Sequence, residues 1–202
     1  MNSPLTLVAE ENGCKRRRAS LLNGLIQFRA ATEEDRPLLA NVYASTRESE
    51  MARVAWSDDE KERFLAMQFN AQDTHYRAYY PGAEFWVILK EGLPAGRLYL
   101  CQTARELRIM DIALLPPFRS AGIGAAILTR LQLDAQAQGV FVSIHVEKEN
   151  PARSLYTRLG FKETEDREVY LLMVWAPPQP TGGAEDRHLG GQPAAHLERK
   201  TT

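Results

Sequence analysis

The sequence predicts a mixed α/β domain in which helices pack on a largely antiparallel sheet. Segments of period two alternate with segments at helical spacing in the order β-α-α-β-β-β-α-β-α-β-β. One helix stands between the strands that begin at Leu107 and Val140, which makes that pair parallel. The chain has 202 residues, 44% of them hydrophobic and 25% charged, enough apolar material for one core. The domain is expected over 26–175, with a disordered extension over 1–25 and a disordered tail over 176–202.

In chain order, residues 1–25 mix polar, basic and glycine residues without periodicity. Their one distinctive feature, Lys15-Arg16-Arg17-Arg18, reads as part of a solvated tail. Ile26-Gln27-Phe28-Arg29 alternates as a first strand, and Thr32 with Glu33, Glu34 and Asp35 supplies a cap and an acidic first turn for a helix through Leu38, Leu39, Val42 and Tyr43. Ser57 and Glu60 form a capping box for a second helix, which carries Phe64, Leu65, Met67 and Phe69 and is ended by Pro81-Gly82. Aromatic and aliphatic segments at 84–90 and 96–102 flank Glu91-Gly92-Leu93-Pro94, the turn of a hairpin, and a strand over 107–115 pairs next.

Ile127, Leu128, Leu131 and Ala135 then recur at helical spacing, closed by Gly139, and Val140, Val142, Ile144 and Val146 alternate as a strand. Asn150 as N-cap, Pro151 at the first helical position and Gly160-Phe161 as a left-handed cap bound the next helix. The charged segment 163–168 links a last strand pair, Phe161-Lys162 and 169–175. From Pro177 the chain is polar and rich in proline and glycine.

A formal net charge of −1 and a pI near 6.4 give no general attraction to nucleic acid or to an anionic membrane. The start lacks a signal-peptide pattern, and no stretch approaches the roughly 18 apolar residues of a membrane span, so the cytoplasm is the expected compartment. Cys14 and Cys101, far apart, suggest neither a disulfide framework nor a metal set, and no metal is expected.

Chemistry concentrates where the apolar strand Ile109-Met110-Asp111-Ile112-Ala113-Leu114-Leu115 leaves through Pro116-Pro117 and enters a helix at Arg119-Ser120-Ala121-Gly122-Ile123-Gly124. Glycine in a first turn costs roughly 1 kcal/mol of helix propensity relative to alanine. A helix start offers unpaired amides and the positive end of the dipole, and glycines remove the Cβ atoms that would hold a phosphate away.

This loop resembles the Arg/Gln-x-x-Gly-x-Gly/Ala pyrophosphate loop of the GNAT superfamily of N-acetyltransferases. Asn150-Pro151-Ala152-Arg153-Ser154-Leu155-Tyr156-Thr157-Arg158-Leu159-Gly160-Phe161 is similar to that family's second signature, Asn-x-x-Ala/Ser-x-x-Leu-Tyr-x-x-Leu-Gly-Phe. The resemblance implies a GNAT-like sheet whose parallel strand pair splays apart to admit acetyl-CoA as acyl donor. It implies that Arg119, Ser120, Ala121, Gly122, Ile123 and Gly124 bind the pyrophosphate, with Arg119 adding charge. Main-chain groups of Ile112, Ala113 and Leu114 would hold the pantetheine arm. Asn150 would cap its helix and touch that arm, and Tyr156 would protonate the leaving thiolate.

An acceptor amine with a pKa of about 10 is mostly ammonium at neutral pH and must lose a proton before it attacks. His145 is a candidate base because Ser143, His145 and Glu147 all face away from the valine and isoleucine side of their strand. Asp111 and Glu106, on the strand where the family often carries a carboxylate base, are the other candidates, with a water chain beside them. The segment 47–56 and the last hairpin would border the acceptor, and Glu163, Glu165, Asp166 and Glu168 give that hairpin negative character. Tyr79, Tyr80 and Trp86 supply either cleft walls or core. The expected activity is acetyl transfer from acetyl-CoA to a primary amine of a small molecule or peptide. An acyl-CoA-binding module or sensor without turnover is the alternative, nucleic-acid binding through Lys15 to Arg18 a third, and a homodimer is left open.

Overall fold

The computed structural model describes residues 7–8, 16–17 and 25–178. Strands β1 (Leu7–Val8) and β2 (Arg16–Arg17) form a short antiparallel ladder, a pairing that the aperiodic sequence there does not signal. The rest of the expected extension, the tail from 179 and the side chains of Cys14 and the Lys15 to Arg18 run lie outside the described residues.

The main sheet has seven strands: β3 (Ile26–Ala30), β4 (Glu84–Lys90), β5 (Leu93–Gln102), β6 (Glu106–Leu114), β7 (Phe141–Glu147), β8 (Lys162–Arg167) and β9 (Tyr170–Trp175). Their spatial order is β3-β4-β5-β6-β7-β9-β8, and every neighbouring pair is antiparallel except β6 and β7. The mixed, largely antiparallel sheet is therefore the architecture that the element order predicts. Helices α1 (Arg36–Thr46), α2 (Glu48–Met51), α3 (Asp58–Tyr79), α4 (Ile123–Gln138) and α5 (Arg153–Arg158) complete it.

Two hydrophobic clusters place the layers. Ile127, Leu128 and Leu131 of α4 and Tyr156 of α5 join Leu98, Ile109, Val142, Ile144 and Met173 on one face. On the other face Leu39 and Tyr43 of α1 meet Phe69 of α3 and Val87 of β4. The alternation of β7 follows from this division: Val142, Ile144 and Val146 are buried toward α4, so Ser143, His145 and Glu147 turn toward the α1 and α3 side. Among the described residues no helix is long and apolar enough to cross a membrane.

Four local expectations are corrected. The β4–β5 hairpin turns on two residues, Glu91 and Gly92, with φ of 53° and 81°, so Leu93 and Pro94 already belong to β5. The charged segment 163–168, expected as a linker, is mostly the edge strand β8, exposed along its whole length; charge on an edge strand discourages pairing with another chain. Helix α2 lies within 47–56, the segment expected only to join the first two helices and border the acceptor. Asn150 does cap, accepting from the Ala152 amide at 2.9 Å, but the α-helical span starts only at Arg153 because Arg153 still donates to the Asn150 carbonyl in a tighter turn.

Candidate functional site

Strands β6 and β7 pair from Glu106↔Phe141 to Ile109↔Ile144, and there the ladder ends, although β6 continues to Leu114 and β7 to Glu147. A bulge accompanies the parting. On the β5 side Leu100 faces Ile109 and Tyr99 faces Asp111, so Met110 is an extra residue that bends β6. The Tyr76 hydroxyl of α3 donates to the Met110 carbonyl at 3.2 Å. A cavity of about 500 Å3 occupies the opening, walled by β6 from Arg108 to Ala113, by β7 from Ile144 to Glu147, and by Gln72, Tyr76 and Tyr80 at the α3 end.

Ile112, Ala113 and Leu114 stand on the stretch of β6 beyond its last pair with β7, and the first two line the cavity. The glycine turn follows. Gly122 is the N-cap of α4 with φ +77°, and the first helical bond runs from the Ala126 amide to the Gly122 carbonyl at 3.0 Å. The amides of Ile123, Gly124 and Ala125 therefore precede any intrahelical acceptor and point out of the helix start. Gly122 is required by its left-handed backbone. Gly124 is not: a Cβ there would lie 3.6 Å from Leu155, an ordinary contact, so its absence widens the mouth of the helix rather than relieving a clash. Ser120 holds φ +59° without being glycine, a conformation that costs on the order of 1 kcal/mol.

Arg119 is occupied within the protein. Its Nε donates to the Leu114 carbonyl at 2.8 Å, and Nη2 donates to the Ser45 carbonyl at 3.0 Å and hydroxyl at 2.8 Å. The guanidinium thus staples the loop to the end of β6 and to α1, where sequence reasoning expected it to supply charge to a diphosphate. Asn150 and Tyr156 both line the cavity. Tyr156 is 4% exposed with its ring 5.8 Å from that of Phe161. Burial, and then the charge of Asp111, push its phenol above the ordinary range, so it is protonated at neutral pH.

The three base candidates separate. Glu106 sits at the closed end of the strand pair, bonded to Arg108 at 3.1 Å and to the Ser143 hydroxyl, and is not itself among the residues that line the cavity. Asp111 reaches the cavity, but Arg97 holds both its oxygens, Nε to Oδ1 at 3.1 Å and Nη2 to Oδ2 at 2.7 Å, while Nη2 also donates to Gln72 at 2.9 Å. Arg97 is 1% exposed, and its Nη1, without a hydrogen-bond partner among the described residues, belongs to a guanidinium set over the rings of Tyr99, Tyr43 and Phe69 at 5.1, 5.7 and 5.9 Å. Asp111 is the counter-charge of that buried cation, and removing one partner of a buried pair costs about 3–5 kcal/mol. His145 lines the cavity, and burial, then the charges of Arg108 and Arg167, lower its pKa below the ordinary 6.5, so its imidazole is neutral at pH 7.

The acceptor side also differs from expectation. Glu163, Glu165 and Asp166 are answered by Arg153, Arg167 and Lys148 at 2.8, 2.8 and 2.5 Å, which removes most of the hairpin's negative character. Tyr80 lines the cavity, Tyr79 is 72% exposed and Trp86 belongs to the core. Sequence reasoning missed Gln72, Tyr76 and Arg97, and it named Arg47 only as the start of the segment expected to border the acceptor. Glu147 was signalled by its alternation with His145; the rest depend on which helix crosses which strand. Among the described residues, no group of His, Cys, Asp and Glu could hold a metal ion.

Comparison with known proteins gives these features a relationship. Residues 81–163 match the family model described as the acetyltransferase (GNAT) domain. A [ribosomal protein bS18]-alanine N-acetyltransferase of Haemophilus influenzae is 34% identical over 89 residues, which are 43% of this chain and 57% of that protein, so the chain spans little more than half of that relative. Among solved structures, a PaiA N-acetyltransferase from Thermoplasma acidophilum in complex with coenzyme A superposes with a TM-score of 0.57 at 17% identity, over 75% of this chain and 98% of that one. A ribosomal-protein-S18-alanine N-acetyltransferase from Escherichia coli does so with a TM-score of 0.52 at 19% identity, over 78% and 97%. At such identities the superpositions establish a shared fold. The family match spans the parting strands, the glycine turn, His145 and Tyr156, but not α1, α2 or α3.

Proposed function

We propose that the chain is an acetyltransferase of the GNAT family, whose domain model residues 81–163 match, and that it transfers an acetyl group from acetyl-CoA to a primary amine. The observation that carries this reading is the parting of β6 and β7 beyond Ile109 and Ile144, beside a helix start with outward amides. The opening fits a thioester arm: the free edge of β6 offers main-chain partners, and the amides of Ile123, Gly124 and Ala125 offer donors to a diphosphate. Acetyl-CoA supplies the activated acetyl group, and the remaining tasks fall to side chains. His145, neutral at pH 7, accepts a proton from the incoming ammonium; the free amine attacks the carbonyl carbon; the C–N bond forms as the C–S bond breaks; Tyr156 gives its phenolic proton to the sulfur; the nitrogen releases its second proton to solvent, from which Tyr156 is reprotonated, and His145 returns the first proton to solvent. The products are the amide and coenzyme A.

We assign the acceptor to the α3 side of the sheet, where His145, Tyr76, Tyr80 and Arg108 line the cavity. A peptide amino terminus is the favoured class, supported by the H. influenzae relative, whose substrate is a ribosomal protein alanine. A small-molecule amine remains the alternative, since α1, α2 and α3 lie outside the matched span. The test is Tyr156→Phe. Turnover with a reactive amine should fall about 10–100-fold, a share of the gain general acid catalysis supplies, while calorimetric affinity for coenzyme A stays within twofold. If the unmodified chain releases no coenzyme A with any of a broad set of peptide and alkyl amines, the protein is a binding module and this reading is lost.

A further inference from the structure

One side chain joins the α1–α2 segment to the open end of the strand pair. Arg47 closes α1, opens α2 and lines the cavity, and its Nη1 donates to Glu50 Oε1 and Glu147 Oε1, both at 2.9 Å. Its guanidinium also lies 5.8 Å from the ring of Tyr43. Glu147 is the last residue of β7, past the final pair with β6, and its side chain is 30% exposed. It shares a strand face with His145, one pleat repeat or about 7 Å away. Helix α2 buries no residue, so the segment that carries Arg47 is lightly held on that side.

An amine reaches the protein as an ammonium ion, and an ammonium leaving water needs a carboxylate. Among the described residues two carboxylates line the cavity, Asp111 and Glu147. Asp111 is bound on both oxygens by buried Arg97. Glu147 is countered by Arg47, a cation that has somewhere else to go: when Glu147 is taken, Glu50 and the Tyr43 ring still hold the guanidinium, so exchange strands no charge. An ammonium on Glu147 would also stand next to the neutral imidazole of His145.

We propose that Arg47 is a built-in competitor for the acceptor: its guanidinium occupies the Glu147 carboxylate that docks the acceptor's ammonium, and the amine binds by displacing it. This rests on the reading above that an amine enters on the α3 side. It makes Arg47 and Glu147 the pair that sets acceptor affinity, with Arg47 acting against binding although it touches the site directly. A purely structural role would give the opposite sign, because loosening a wall of the cavity weakens whatever binds there.

Binding of trialanine amide, which carries one positive charge, to the full chain saturated with coenzyme A is the experiment. The neutral variants R47M and R47Q should bind it at least fivefold more tightly than the unmodified chain, R47K within twofold of it, and E147Q at least fivefold more weakly. The double variant R47M/E147Q should bind no more tightly than E147Q. Binding by R47M and R47Q that is unchanged or weaker, or no measurable binding by any variant, overturns the proposal. The readout separates this inference from the catalytic reading: a gain in R47M with no release of coenzyme A from acetyl-CoA by any variant would uphold the competitor and sink acetyl transfer.

Discussion

His145 and Asp111 lie on the two parting strands and differ in what surrounds them, and that difference decides which is available to an incoming amine. Both oxygens of Asp111 are bound by a guanidinium that is 1% exposed, so its carboxylate is committed to the fold. His145 has no such obligation, and burial with two nearby arginines keeps it neutral. The sign for catalysis follows. Neutral imidazole is the active form and its pKa lies below 6.5, so activity attributable to it is complete at neutral pH and is lost only as pH falls through that lowered value. The acceptor's ammonium gives its proton to His145, so the amine need not deprotonate in solution while that imidazole is present. The logarithm of kcat/KM for the acceptor should rise with slope one up to the pKa of His145 and stay level from there to about 8, the pKa of a peptide amine. His145→Gln should lower kcat about 100-fold, within the range for removal of a general base, and give slope one up to about 8, because only amine already deprotonated in solution can then attack. A slope of one that continues to about 8 in the unmodified chain would exclude His145. Of this site, the sequence alone disclosed the residues whose position along a strand or helix is their signal: His145 and Glu147 by alternation, Gly122 by the turn, Tyr156 by helical offset. Arg97 could be seen as a charge in an apolar strand, but its partner is set by a diagonal across two strands that no local pattern encodes.

At the scale of elements, Gly96 shows how strand contact sets the donor wall. It faces Leu114 across β5 and β6, and a Cβ there would sit 2.1 Å from the Ala113 carbonyl oxygen, a backbone atom that no rotamer change can move. Gly96→Ala must push β6 away just where Ala113 and Leu114 present main-chain groups to the opening. The cost is expected at about 3 kcal/mol or more, the upper range for overpacking, which lowers Tm by roughly 6–12 °C in a chain of this size. The KM for acetyl-CoA should rise in the same variant. Gly82→Ala offers the contrast, because its Cβ would meet nothing within 4 Å and only its φ of +82° is strained; equal melting temperatures for the two variants would contradict the close approach. Element boundaries were legible where caps or periodicity mark them, as at Ser57, Gly122 and Gly139. They were illegible where tertiary pairing overrides composition. Glu163 and its neighbours look like a linker until β9 offers an edge to pair with, and α2 is four residues that local pattern could not distinguish from loop.

Across the whole molecule, the sheet separates two duties. Its α4 side carries the glycine turn and Tyr156, and its α1 and α3 side carries His145, Glu147 and the aromatic wall, with the parting of β6 and β7 as the passage between them. Donor binding should therefore be separable from the rest of the fold at one position. Gly124 opens α4, and a side chain there would meet Leu155 at ordinary contact distance. The Cβ that Gly124→Glu adds is accommodated, and an acidic residue in the first turn is favoured by the helix dipole, so stability without ligand should change little. The added carboxylate would, however, stand among the amides to which the proposal assigns a diphosphate. Coenzyme A at one hundred times its Kd should stabilise the unmodified chain by about 2.7 kcal/mol, a rise in Tm of roughly 5–11 °C, and should leave the Gly124→Glu variant unmoved. Equal shifts in both proteins would place the coenzyme elsewhere and detach the helix start from donor binding. A fall in the variant's Tm before any ligand is added would instead mean that Gly124 is needed by the fold, against the 3.6 Å clearance found there.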